Sequence, residues 1–176
     1  SKIAAAMLRV VAFVPYPLGT TPSQRFRLEQ WAPRLEARGI SLDFRPFATP
    51  DLVARLYRRG TSASKAFGLV RALAAQARRL PRAGEAHVAV VHRGMSLIGP
   101  AFLERRLAAT LPVVYDFDDA IHLLHTSEAN RAFGWLKFPG KTSEICALAA
   151  RVTVGEAFEE LVRIMHGQQT FDQLAL

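Results

Sequence analysis

Cysteine is nearly missing from this chain: Cys146 stands alone among 176 residues. A lone cysteine makes no intrachain disulfide and supplies no zinc-ligand pattern, so neither staples the fold. Its scarcity fits a reducing, cytosolic compartment. Long hydrophobic runs are missing too. The longest early one, Leu8–Val14, is interrupted by Arg9 and falls far short of the roughly 20 apolar residues that span a bilayer. Pro15, Pro17 and Gly19 follow it without the small-residue cleavage site of a secretory leader. No G-x-G-x-x-G follows that run, which disfavours a dinucleotide site. Aromatic residues are sparse in the most basic stretch, Asp51–Arg82, where Tyr57 and Phe67 are too few for a stacking platform, and no named nucleic-acid fold fits, so no nucleic-acid partner is expected.

Acidic residues are also short. There are 15 Asp and Glu against 23 Lys and Arg, a formal net charge of +8. The excess is local. Between Asp51 and Arg82 stand Arg55, Arg58, Arg59, Lys65, Arg71, Arg78, Arg79 and Arg82, with Asp51 the only acid, so eight minus one leaves +7 there. Such a stripe points either to an anionic partner, for instance an anionic membrane surface met by residues 51–82, or to a solvated helix face.

What is present is enough for a packed domain. Half of the residues are hydrophobic, and the length suits one core. Residues 1–6 read as an N-terminal extension with Met7 as a natural start, 7–166 as the domain and 167–176 as a tail. Five β-branched runs alternate with helical segments: Leu8–Val14, Ser41–Phe47, His87–Arg93, Pro112–Asp118 and Arg151–Gly155. Near-continuous apolar strands spaced by helices predict a Rossmann-like, doubly wound parallel sheet in the α/β class.

The helices follow from caps and periodicity. Thr21–Arg38 opens with Thr-Pro-Ser-Gln, the pattern of a capping box, and stops at Gly39, with Pro33 expected to kink it. Asp51–Arg59, Ser64–Leu80, Pro100–Ala109, Ser127–Phe138, Thr142–Ala150 and Glu156–His166 complete the set. In Ser64–Leu80, a period of about 100° per residue gathers Phe67, Leu69, Val70, Leu73, Ala74, Ala77 and Leu80 on one side, opposite Lys65, Arg71, Gln76, Arg78, Arg79 and Arg82. Gly140-Lys141-Thr142 imitates the end of a P-loop, but Gly134 is one residue too distant, and Thr142 or Ser143 reads better as a helix cap.

Three places offer chemistry. The loop Pro15–Arg27 runs from a strand end into a helix start, where backbone N–H groups and the charges of Arg25 and Arg27 would favour an anion beside Gly19. Asp116, Asp118 and Asp119, with His122 and His125 behind them, cluster where the fourth strand ends. Crowded carboxylates of that kind can yield a general base. His92 and Arg93, at the end of the third strand, would face the same cleft, and Gly94 allows close approach. A receiver-like or flavodoxin-like acidic pocket would need carboxylates after the first strand, and Val14-Pro15-Tyr16-Pro17 supplies none.

VVAFVPYPLGTTPSQRFR (Val10–Arg27), VVHRGMSLIGP (Val90–Pro100), VVYDFDDAIH (Val113–His122) and the fifth strand RVTVG, in that order, resemble the N-terminal domain of retaining GT-B glycosyltransferases, in particular a bacterial branch of the family-four type. The resemblance implies one half of a GT-B fold. It implies a hexosyltransferase activity that moves a sugar from a nucleotide-sugar donor to a sugar or lipid-linked acceptor. This half would bind the acceptor, and a C-terminal domain missing from this sequence would hold the donor, so the chain alone is expected to be inactive. By the same resemblance Gly19, Arg25 and Arg27 approach the donor phosphates. Asp116, Asp118, Asp119 and His122 line the acceptor site, with Asp116 or Asp119 positioning or deprotonating the acceptor hydroxyl. No cofactor and no metal is implied, and the place of work would be the cytoplasm, peripherally at the inner face of the membrane. The alternative is a non-catalytic α/β module for an anionic ligand or partner.

Overall fold

A computed structural model of the chain describes residues 7–58, 62–82, 84–117 and 140–154. Five strands form one sheet: β1 (Leu8–Val14), β2 (Ile40–Pro46), β3 (Val88–His92), β4 (Val113–Phe117) and β5 (Arg151–Val154). All four pairings are parallel, and the order is β2-β1-β3-β4-β5. This is one of the two common doubly wound orders, with its switch point between β1 and β3.

Side chains alternate between two covered faces, which is why the central strands read as unbroken apolar runs. Every residue of β3 and β4 is buried. On one face Val11, Phe13, Ala89, Val91 and Tyr115 meet the helices α4 (Ser62–Arg78), α5 (Phe102–Ala108) and α6 (Lys141–Leu148), through Leu73, Leu107 and Ile145 among others. On the other, Val10, Ala12, Val14, Val90 and Val114 meet Leu28, Trp31 and Leu35. Burying each such side chain contributes roughly 1.5–3 kcal/mol. Helices therefore lie on both faces of a Rossmann-like sheet, as expected. No helix among the described residues is long and apolar enough to cross a membrane.

Three local expectations need correction. The helix predicted over Thr21–Arg38 is three pieces: α1 (Pro22–Arg27), a 3₁₀ turn (Glu29–Trp31) and α2 (Ala32–Glu36). Leu28 breaks the first with φ −131°. Pro33 therefore sits in the opening turn of α2, where its missing N–H costs nothing, rather than kinking a long helix. The capping box does not close either. Thr21 makes no side-chain cap bond, its hydroxyl is buried without a partner among the described residues, and the Gln24 side chain that would complete the box is drawn elsewhere.

The buried stripe of α4 is rotated from the predicted one. Leu69 is buried and Leu73 and Ala77 pack on the core, but Phe67 and Val70 are 69% and 59% exposed, while Lys65 and Gln76 are buried. The cause is contact with α3 (Pro50–Tyr57) and β2. Leu69 joins Phe47 and Leu52, and Gln76 Nε2 donates to Arg45 O at 3.2 Å. At the start of α6 the capping residue is Gly140, not Thr142 or Ser143. The predicted helices Ser127–Phe138 and Glu156–His166 lie outside the described residues.

Candidate functional site

The parallel register sets one polar row across three strands. His92 of β3 stands opposite Asp116 of β4, and Asp116 opposite Thr153 of β5. All three are buried, on the face that carries α1 and α2, beside the C-terminal edge of the sheet. Arg27, at the end of α1, reaches over this row. Its Nε donates to Asp116 Oδ2 at 3.0 Å and its Nη2 to Oδ1 at 2.5 Å, a side-on, two-point clasp. Thr153 Oγ1 donates to Oδ1 at 2.8 Å, and His92 Nδ1 lies 2.7 Å from Oδ2. Three groups, making four contacts, thus converge on one buried carboxylate.

Burial alone would push the Asp116 carboxyl up, because it disfavours the charged form. The hydrogen bonds and charges of His92 and Arg27 more than offset this and hold it below the ordinary carboxylate range. Asp116 is therefore ionised and can only accept hydrogen bonds. The proton between it and His92 belongs to His92 Nδ1, which anchors the ring on Asp116 and turns Nε2 outward. That Nε2 is buried and has no hydrogen-bond partner among the described residues. An orphaned ring nitrogen on an anchored imidazole can accept or carry a proton for a bound group. Asp116 itself, with both oxygens committed, suits the role of anchor.

The next residue is strained. Arg93 has φ +61°, uncommon for a residue with a side chain, and Gly94 N donates back to His92 O at 2.7 Å, closing a tight three-residue turn. Arg93 N is held by Asp116 O at 2.8 Å, and Arg93 O accepts from the Tyr115 hydroxyl. The turn lies at the end of β3, beside the loop after β1, so it borders the switch-point crevice where doubly wound sheets bind ligands. Tyr16 belongs to that loop. Burial is the main cause that pushes its hydroxyl upward, and the charge of Arg93 pulls the other way.

Two further braces hold this edge. Gln24 is buried and clamps the loop after β1: its Nε2 donates to Tyr16 O at 3.0 Å and its Oε1 accepts from Tyr16 N at 3.2 Å. It also donates to Glu29, whose other oxygen accepts from Gly19 N at 2.8 Å. The amide of Gly19 is thus already taken by a carboxylate. On the opposite face Glu104 accepts from Met95 N at 2.8 Å, and Lys141 Nζ donates to Ser96 Oγ at 2.8 Å and pairs with Glu104. The loop after β3 is stapled to α5 and α6 in this way.

Of the residues singled out in the sequence, Arg27, His92 and Asp116 come together and Arg93 adjoins them. Arg25 is exposed and stacks over Phe26, its guanidinium 5.0 Å from the ring centroid. Asp118, Asp119 and His122 lie outside the described residues. Gln24, Glu29, Glu104, Lys141 and Thr153 were not anticipated. Thr153 left a signal as the one uncharged polar residue of its strand, whereas Gln24 and Lys141 stand in motifs that point to other roles. Among the described residues no three His, Cys, Asp or Glu side chains gather as a metal site. No family profile, curated protein or solved structure matches this chain.

Proposed function

We propose that this chain is the acceptor-side domain of a retaining GT-B glycosyltransferase, working with a donor-binding half that holds a nucleotide-sugar. One observation carries the reading. Each of the four segments that resemble that family contributes one residue to a single cluster: Arg27 from the first, His92 from the second, Asp116 from the third and Thr153 from the fourth. Segments that merely packed a core would have no reason to place their polar residues around one carboxylate.

In this reading Asp116 is a positioning residue. It holds the imidazole of His92 and the guanidinium of Arg27 at the edge where a sugar hydroxyl would sit. His92 Nε2 accepts the hydrogen bond, or the proton, of that hydroxyl. Arg93 adds positive charge at the crevice, where phosphate charge develops as the nucleotide leaves. By the family resemblance, Asp118, Asp119 and His122, which lie outside the described residues, would belong to the acceptor site. The acceptor is a sugar or a lipid-linked sugar, and contact with an anionic membrane through residues 51–82 would bring a lipid-linked one within reach.

The test is reconstitution. The chain, alone and with a separately produced donor half of the retaining type, is incubated with nucleotide-sugars and acceptors, and the product anomer is read by NMR. Turnover with retention only in the combined sample supports the proposal. His92→Ala should then lower kcat by on the order of a hundredfold, the scale of a lost proton-transfer group. Absence of transfer with every donor half, or an inverted product, removes it.

A further inference from the structure

We propose that a groove between α3 and α4 binds a phosphate group. The groove measures about 350 Å³, within the size range of small-molecule sites. It opens beyond the C-terminal end of β2, the edge strand, with β1 standing between it and the row on β3, β4 and β5. Arg55 of α3, Arg71 of α4 and Arg79 just after α4 line it, together with Thr49, and Asp51 is its only acid among the described residues. Three guanidinium groups against one carboxylate leave a positive pocket, and guanidinium groups fit phosphate oxygens in paired, charge-assisted hydrogen bonds.

Three features make this a formed pocket rather than a spread of surface arginines. Arg79 is anchored, since its Nη1 donates to Pro46 O at 3.2 Å and its own carbonyl accepts from Arg45. The helices are drawn together at Gly68, where an added Cβ would stand 2.9 Å from Leu52 Cδ1. Gln76 is buried in the lining, tied to Arg45 O. Arg55 and Arg71 make no ion pair among the described residues, which leaves their guanidinium groups available to an anion. The groove's chemistry is independent of sugar transfer at the opposite side of the sheet.

A phosphate could arrive free or as a lipid headgroup. Calorimetry of the 176-residue chain with inorganic phosphate and with pyrophosphate at low salt tests the first source. Sedimentation with phosphatidylcholine vesicles, with and without phosphatidylglycerol, tests the second. Arg55 and Arg71 are exposed, so Arg55→Gln and Arg71→Gln should fold normally, as a thermal melt will show. Saturable 1:1 pyrophosphate binding that each variant weakens about tenfold, the loss of one charge-assisted contact, supports a free phosphate. Co-sedimentation only with phosphatidylglycerol, lost in the same variants and without pyrophosphate binding, assigns the headgroup. Arg38→Gln, outside the groove, should change neither. No binding of either anion or of vesicles, or binding equal in the wild type and both variants, overturns the proposal.

Discussion

Arg27 and Asp116 stand 89 residues apart in sequence, yet the guanidinium of one closes two hydrogen bonds on the carboxylate of the other. The pair is nearly enclosed, with side-chain exposures of 14% and 2%. Removing one partner from such a pair leaves a charge without compensation. Arg27→Ala should therefore cost about 3 kcal/mol or more in unfolding free energy, measured by urea denaturation. A loss under about 1 kcal/mol, the size of an exposed pair, would mean that the clasp is loose in solution.

Acid should weaken the same cluster in a defined window. The folded pKa of Asp116 is lowered below its ordinary value of 3.8, so its contribution is fully present above the unfolded pKa and is lost as pH falls through the folded one. The melting temperature of the wild type should exceed that of Asp116→Asn at neutral pH. The gap should narrow as pH drops below about 4. A gap that widens on acidification would contradict the charge assignment.

Backbone strain at Arg93 gives an opposite signature. With φ at +61°, a β-branched side chain is penalised and glycine is not. Arg93→Val should be less stable than Arg93→Gly by roughly 1–3 kcal/mol. Comparable melting temperatures for the two variants would show that the turn relaxes.

Cys146 is half-buried on α6, and burial pushes its thiol up. Alkylation at pH 8 should run slower than for free cysteine and should speed up as pH rises through the thiol's own range. Rapid modification at neutral pH would place the sulfur in a wetter setting than the packing of α6 against the core implies.

The sheet was legible because strands covered on both faces carry their signal in each residue, as in VVAFV and VAVVH. The register of α4 was not. Periodicity alone favoured Phe67 and Val70 for burial, and the choice of Lys65 and Gln76 instead depends on α3 and β2, which lie far away in sequence. Gln24 was misread for a related reason. Its spacing from Thr21 matches a capping box, but the backbone of Tyr16 offers both a donor and an acceptor to one amide, and a cap offers less. The polar row was half legible. His92 and Asp116 drew notice as polar groups at strand ends, whereas their contact with Arg27 and Thr153 depends on strand order, which no local pattern encodes. Lys141 attracted attention through a motif that fails on spacing, and its actual partners, Ser96 and Glu104, arrive from the loop after β3 and from α5.

The polar row also acts as a proofreader of strand alignment. Successive residues of β4 point to opposite faces, so a one-residue slip would turn Asp116 toward Met95, Leu103 and Leu107 and present Tyr115 to Arg27. Either outcome strands a charge in an apolar layer. A misaligned sheet would bury nearly the same amount of hydrocarbon as the native one, so hydrophobicity alone discriminates poorly between them. The carboxylate makes the difference steep. Because its three partners come from α1, β3 and β5, it is satisfied only when all of these have docked on β4 in the native alignment, and it taxes every earlier arrangement of the chain.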